Sequence, residues 1–98
     1  MHNNVKKIKQ IIVQNKGLLE RTYYVKNIGI FGSYAKGYAR KDSDIDILVD
    51  FYEVPDMFKF MELEYLLQNL LGRKVDLVTR KALKPLIKNY ILRDTVYL

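Results

Sequence analysis

Two aspartates, Asp44 and Asp46, stand one residue apart at the head of an apolar run that continues Ile47, Leu48, Val49. Strand side chains alternate between faces, so the pair projects from one side while Ile45, Ile47 and Val49 project from the other, into a core. Like charges this close are unfavourable unless a cation lies between them, and carboxylates that leave room for water and phosphate oxygens suit Mg²⁺. Upstream, Ile28, Ile30 and Phe31 make a first apolar strand that breaks at Gly32-Ser33. A glycine lets the backbone turn sharply and approach a ligand, and the amides and hydroxyl just after it can cradle a phosphate. Gly-Ser, ten residues and then Asp-x-Asp is therefore the pattern of a site for a nucleoside triphosphate and a metal.

Two other motifs overlap this stretch and fail on their own chemistry. Gly32 to Gly37 has the glycine spacing of a P-loop, but Tyr38 and Ala39 stand where Lys and Ser/Thr are required. Asp42, Asp44, Asp46, Asp50 and Glu53 fall on calcium-loop positions of an EF-hand. The turn position, however, is Ile47 instead of glycine, and Ile-Leu-Val is strand material.

The positioning elements follow from periodicity. Over residues 3–16, Val5, Ile8 and Ile12 recur at helical spacing, with Ile11 widening the stripe, Asn3 or Asn4 as N-cap and Gly17 as the stop. Residues 18–24 read either as a continuing helix or as a connection. Tyr23 and Tyr24 are packing residues in the simpler reading and base-stacking platforms in the other. Val25 to Phe31 is the first strand, where Gly29 implies close approach of another backbone or of a ligand. After Pro55, Asp56 caps a helix running to about Leu71, with Gly72 as its C′ residue. Its apolar face is Phe60, Leu63, Leu67 and Leu70, widened by Met57, Leu66 and Leu71. A helix of that length between strands is a crossover, so Lys74 to Thr79 is a third strand parallel to the second. Asp76 then faces away from Val75 and Leu77, and parallel pairing places it beside Asp44 and Asp46. Pro85 opens a last helix with Leu86, Ile87, Tyr90 and Ile91 on one face, and the tail from Thr95 to Leu98 either adds a short edge strand or covers the core. The expected fold is α/β (α+β): a small mixed sheet of three to four strands flanked by helices, with 1–98 as a single domain.

At Gly32, Ser33, Asp44 and Asp46 the sequence resembles the minimal nucleotidyltransferases of the DNA polymerase beta superfamily, the antitoxin half of HEPN/MNT toxin-antitoxin pairs. The resemblance runs over nearly the whole chain and makes Asp76 the third family carboxylate. It implies transfer of AMP from ATP to a hydroxyl, with two Mg²⁺ held by Asp44, Asp46 and Asp76 and the outer phosphates fixed by Gly32 and Ser33. Lys36, Arg40 or Lys41 would neutralise the departing pyrophosphate. Lys36 stands where many members carry arginine, which keeps the charge and loses the bidentate fork. The implied acceptor is a tyrosine of a cognate HEPN RNase toxin.

Composition narrows the alternatives. A chain of 98 residues supports one modest core, so its active site must be shallow or completed by a partner. With no cysteine, thiolate metal sites and cysteine nucleophiles are excluded, and a cytoplasmic location is expected. The single histidine, His2, is terminal, so imidazole chemistry is not expected. Residues 1–16 are too rich in Lys and Asn for a signal peptide, and no apolar run reaches membrane-spanning length. Net charge is +6, yet six of the eleven acids lie between Asp42 and Asp56. Arg73, Lys74, Arg80, Lys81, Lys84, Lys88 and Arg93 make the C-terminal quarter basic. That division suits a metal-bound triphosphate at one end and an acidic partner or RNA at the other, or equally a solvated basic face. Two rival functions follow: an inactive antitoxin that masks the toxin, and a nucleic-acid-directed nucleotidyltransferase. Against the latter, direct nucleic-acid binding has no recognition helix or aromatic array to support it.

Overall fold

The N-terminal helical pattern is two helices rather than one, α1 (Val5–Gln14) and α2 (Lys16–Tyr23), in a computed structural model that describes residues 5–40 and 42–98. The break falls at Asn15, not at the expected stop Gly17, which lies inside α2. Asn15 Nδ2 donates to the Ile11 carbonyl at 2.8 Å and its backbone N to the Ile12 carbonyl at 3.0 Å. Such local bonds compete with the helical ladder and turn the chain. Asn3 and Asn4, the expected caps of α1, lie outside the described residues, as do His2 and Lys41.

Strands β1 (Val25–Phe31), β2 (Ile45–Phe51), β3 (Val75–Thr79) and β4 (Val96–Tyr97) form one mixed sheet in the order β3-β2-β1-β4. β1 runs antiparallel to β2 and β4, while β2 and β3 are parallel. Ile28 and Ile30 of β1, Ile45, Ile47 and Val49 of β2, and Val75 and Leu77 of β3 are buried in one cluster with Ile8, Ile12 and Leu19. Each large aliphatic buried this way contributes about 1.5–3 kcal/mol, so the alternation of the strands is locked by burial. The aspartates between those positions are thereby turned to the opposite side of the sheet.

The crossover helix α4 (Met57–Leu71) begins where Asp56 Oδ1 accepts from the Lys59 amide at 2.8 Å. It ends at Gly72, left-handed with φ 68°, whose N–H donates to the Gln68 carbonyl. Leu63, Leu67 and Leu71 are buried, with Phe60 and Leu66 packed beside them. Met57, expected on this face, is 73 % exposed. At 3.6 residues per turn it lies about 120° around the helix from Leu63, beyond the edge of the buried stripe. Leu70 is half-buried and outside the core cluster.

The last helix, α5 (Pro85–Asp94), starts with proline in its first turn as expected, but its apolar face does not join the core. Leu86, Ile87 and Tyr90 are exposed and Ile91 is half-buried. The place beside β1 is taken by β4, and α5 rests instead against β1 and a short helix that follows it. Gly29 makes this possible: a Cβ there would lie 2.6 Å from Thr95 Cγ2 and 3.0 Å from the Val96 carbonyl. Among the described residues no helix is long and apolar enough to cross a membrane.

Candidate active site

β1 ends in extended backbone at Phe31, and Gly32 then takes φ +72°, a left-handed conformation that side-chain-bearing residues rarely adopt. The turn feeds a single helical segment, α3 (Gly32–Lys36), which Tyr34, 4 % exposed, pins into the core. A Cβ on Gly32 would collide with the Asp46 carboxylate, reaching 2.9 Å from its Cγ. The glycine therefore supplies both the turn and the space in which Asp46 sits. Gly37, with φ 83°, closes α3 as its left-handed cap, while the Tyr38 amide donates to the Ser33 carbonyl at 2.8 Å. That role accounts for the P-loop spacing without P-loop chemistry.

Register brings the carboxylates together. Phe31 is the antiparallel partner of Asp46, and Asp46 is the parallel partner of Asp76, on strands about 4.8 Å apart. Asp44 immediately precedes β2, and Asp46 is its second residue. Asp44 and Asp76 are exposed and Asp46 is half-buried. The Asp46 carboxyl is pushed up from 3.8 to about 6, chiefly by burial, then by the charges of Asp76 and Asp44. Asp46 and Asp76 are thus register partners, and Asp44 stands one alternation before Asp46.

The expected basic residues are placed less uniformly. Lys36 Nζ lies 3.6 Å from Asp94 Oδ2 at the end of α5, both side chains about half exposed. Arg40 is exposed and enters the local structure through its backbone N, which donates to Ser43 Oγ at 2.8 Å. Ser33 is half-buried within α3.

Two residues that sequence reading did not single out for the site organise the approach to Asp44. Ser43 closes the loop on itself, accepting from the Arg40 amide through Oγ and donating its own amide to the Arg40 carbonyl at 3.0 Å. Arg73, counted only as part of a basic stretch, donates from Nη2 to the Ser43 carbonyl at 3.4 Å and ties this loop to the α4–β3 connection. The Arg-x-x-Ser spacing just before Asp44 is the signal that points to such a turn.

Tyr23 and Tyr24 are structural. Tyr23 is buried and its hydroxyl donates to Glu62 Oε2 at 2.6 Å. Burial, that hydrogen bond and the Glu62 charge push the phenol up to about 12. Tyr24 adopts φ 61° as the cap of α2. Both precede β1, which puts about 20 Å of strand between them and Gly32.

A hard cation fits the donors present. They are oxygen-only and sit in adjacent register, and Asp46, whose carboxyl is raised first by burial and then by the charges of Asp76 and Asp44, is a carboxylate that a cation would stabilise in its charged form. Among the described residues no group of three or more Asp, Glu, His or Cys side chains is placed to hold a metal ion. Mg²⁺ bound through one or two carboxylates with phosphate oxygens and water does not require such a group.

Comparison with known proteins identifies the family. A family model described as the nucleotidyltransferase domain matches residues 5–98. The protein adenylyltransferase MntA of Thermococcus cleftensis is 47 % identical over 93 residues, 95 % of this chain and 94 % of its own length. A solved structure of a candidate minimal nucleotidyltransferase superposes with a TM-score of 0.84 at 32 % identity, covering 99 % of this chain and 98 % of the other. A toxin-antitoxin crystal structure with AMP-PNP gives a TM-score of 0.70 at 26 % identity, covering 97 % of this chain and 72 % of that one. This chain belongs to the nucleotidyltransferase family, among its minimal members.

Proposed function

We propose that this protein is a protein adenylyltransferase that moves AMP from ATP onto a tyrosine hydroxyl of a cognate HEPN RNase toxin, and so acts as the antitoxin. The observation that carries the reading is the register that sets Asp46 between Gly32 and Asp76. Its relative at 47 % identity bears the name protein adenylyltransferase MntA, and a structural neighbour is a toxin-antitoxin assembly with an ATP analogue. Both support the acceptor class and the nucleotide.

In this mechanism the acceptor oxygen forms a bond to the α-phosphorus as the bond to pyrophosphate breaks, and the hydroxyl proton passes to a carboxylate oxygen of Asp76. Gly32, Ser33 and the amides that open α3 hold the outer phosphates against the end of β1. Asp44 and Asp46, with Asp76, would hold Mg²⁺. When bound, the metal would neutralise phosphate charge and lower the pKa of the attacking hydroxyl. Lys36 and Arg40 balance charge on the departing pyrophosphate, with Lys36 exchanging its exposed contact to Asp94 for the phosphate.

A masking antitoxin is the second reading, and the exposed apolar and basic face of α5 favours it: Leu86 is 89 % exposed beside Lys84 and Lys88. ATP labelled at the α-phosphate, incubated with a HEPN toxin of the R-x4-H type, separates the two. Label should pass to the toxin with wild type and fall at least 100-fold with Asp44→Asn. Neutralisation without label transfer would favour masking.

A further inference from the structure

β3 is an edge strand, paired with β2 on one side only, and it carries Asp76. In a parallel pair the amides of alternate residues point toward the neighbouring strand and those between point away. An edge of this kind is ordinarily left to water and frays easily. Here the two outward amides that bracket Asp76 are both taken by side chains of α4. Gln68 Oε1 accepts from the Val75 amide at 3.2 Å, and Glu64 Oε2 accepts from the Leu77 amide at 3.2 Å.

The spacing of the two elements matches. Glu64 and Gln68 are one helical turn apart, about 6 Å along α4. Val75 and Leu77 are two strand residues apart, about 6.6 Å along β3. The helix runs opposite to the strand, so the later helical residue meets the earlier strand residue and the two bonds form parallel rungs. Both acceptors are half-buried, where a hydrogen bond is less diluted by solvent than on an open edge. Leu63 and Leu67, adjacent in sequence to these acceptors, are fully buried and hold the helix in register with the strand.

We propose that Glu64 and Gln68 are positioning residues for Asp76, clamping the edge strand that presents this carboxylate beside Asp46. The inference rests on the assignment of Asp76 to the acceptor side of the transfer reaction. It assigns α4 a second task beyond the core: fixing the distance between the third carboxylate and the other two.

The test uses the full chain with Glu64→Met, Gln68→Met and Glu64→Gln, the last retaining a neutral acceptor. Hydrogen exchange should quicken at least tenfold at Leu77 in Glu64→Met and at Val75 in Gln68→Met, and stay within threefold of wild type at Leu77 in Glu64→Gln. AMP transfer to a HEPN toxin should lose about tenfold in kcat in either Met variant with the KM for ATP within twofold, and Glu64→Gln should restore at least half of kcat. Adding Glu64→Met to Asp76→Asn should lower kcat no further than Asp76→Asn alone. Unchanged exchange at Val75 and Leu77, a loss expressed only in KM, or a full additive loss in the double variant overturns the clamp. Wild-type activity in Asp76→Asn overturns the assignment of Asp76 instead, and the exchange result then still decides whether the rungs hold the strand.

Discussion

Gly32 and Asp46 share one volume: the carboxylate of the aspartate lies where a side chain on the glycine would begin. The phosphate turn and the central carboxylate are therefore one packing unit, although fourteen positions separate them in the chain. Gly32→Val should consequently damage both halves of the site. The left-handed backbone, φ +72°, costs an L residue about 1–2 kcal/mol, and the new methyls force Asp46 aside. Calorimetry should show at least a tenfold loss of ATP affinity, with Ser33→Ala, which keeps the amides, losing less. Equal affinity in wild type and Gly32→Val would show that the turn has no part in binding nucleotide.

The burial of Asp46 beside two other carboxylates has a signature in stability. Its folded pKa is raised from 3.8 to about 6, so the folded state holds this proton more tightly than the unfolded one. The resulting stabilisation is fully present below about pH 3.8 and is lost as pH rises through about 6. In Mg²⁺-free buffer Asp46→Asn should therefore raise Tm at pH 7.5, and the gain should shrink at pH 5. Thermal melts of the two proteins at both pH values check the sign, and a gain that grows on acidification contradicts it. Millimolar Mg²⁺ with ATP should narrow the pH 7.5 gap, because a cation stabilises the carboxylate form that the variant lacks.

Much of this architecture is visible in residue types because the sheet alternation is strict. Ile45, Ile47 and Val49 fix the direction of Asp44 and Asp46, and Asp56 and Gly72 mark both ends of α4. What escapes sequence reading depends on contacts distant in the chain. The Gly32–Asp46 fit, the bond from Arg73 to the Ser43 carbonyl and the two rungs from α4 to β3 join segments that no local periodicity relates. The misplaced expectations have local causes. Asn15 breaks the first helix through its own side-chain bond, and Met57 falls beyond the edge of the stripe that α4 buries.

The Asp56 cap allows stability to be changed without touching the site. Its Oδ1 takes one of the unpaired first-turn amides of α4, at the opposite end of β2 from Asp44. Asp56→Ala should cost about 1 kcal/mol. For a domain of this size that lowers Tm by roughly 4–8 °C. Transfer activity at 25 °C should remain within twofold of wild type. A collapse of activity with Tm preserved would mean that the N-terminal end of α4 serves the reaction directly.

Asp76 separates catalysis from neutralisation. It is exposed, it belongs to the edge strand, and it meets Asp46 from the side away from Gly32, so it lies farthest from the phosphate turn. Asp76→Asn should therefore bind Mg-ATP within about threefold of wild type and lose at least 100-fold in AMP transfer. The basic and apolar face of α5, from Lys84 to Arg93, is untouched by that change and should still engage the toxin. Co-expression then gives two opposed outcomes. If modification is how the toxin is silenced, cells carrying the variant stay poisoned while the two proteins still co-purify. If the variant protects as well as wild type and mass spectrometry finds no AMP on the toxin, masking by the α5 face is the operative mechanism and the carboxylates serve some other reaction.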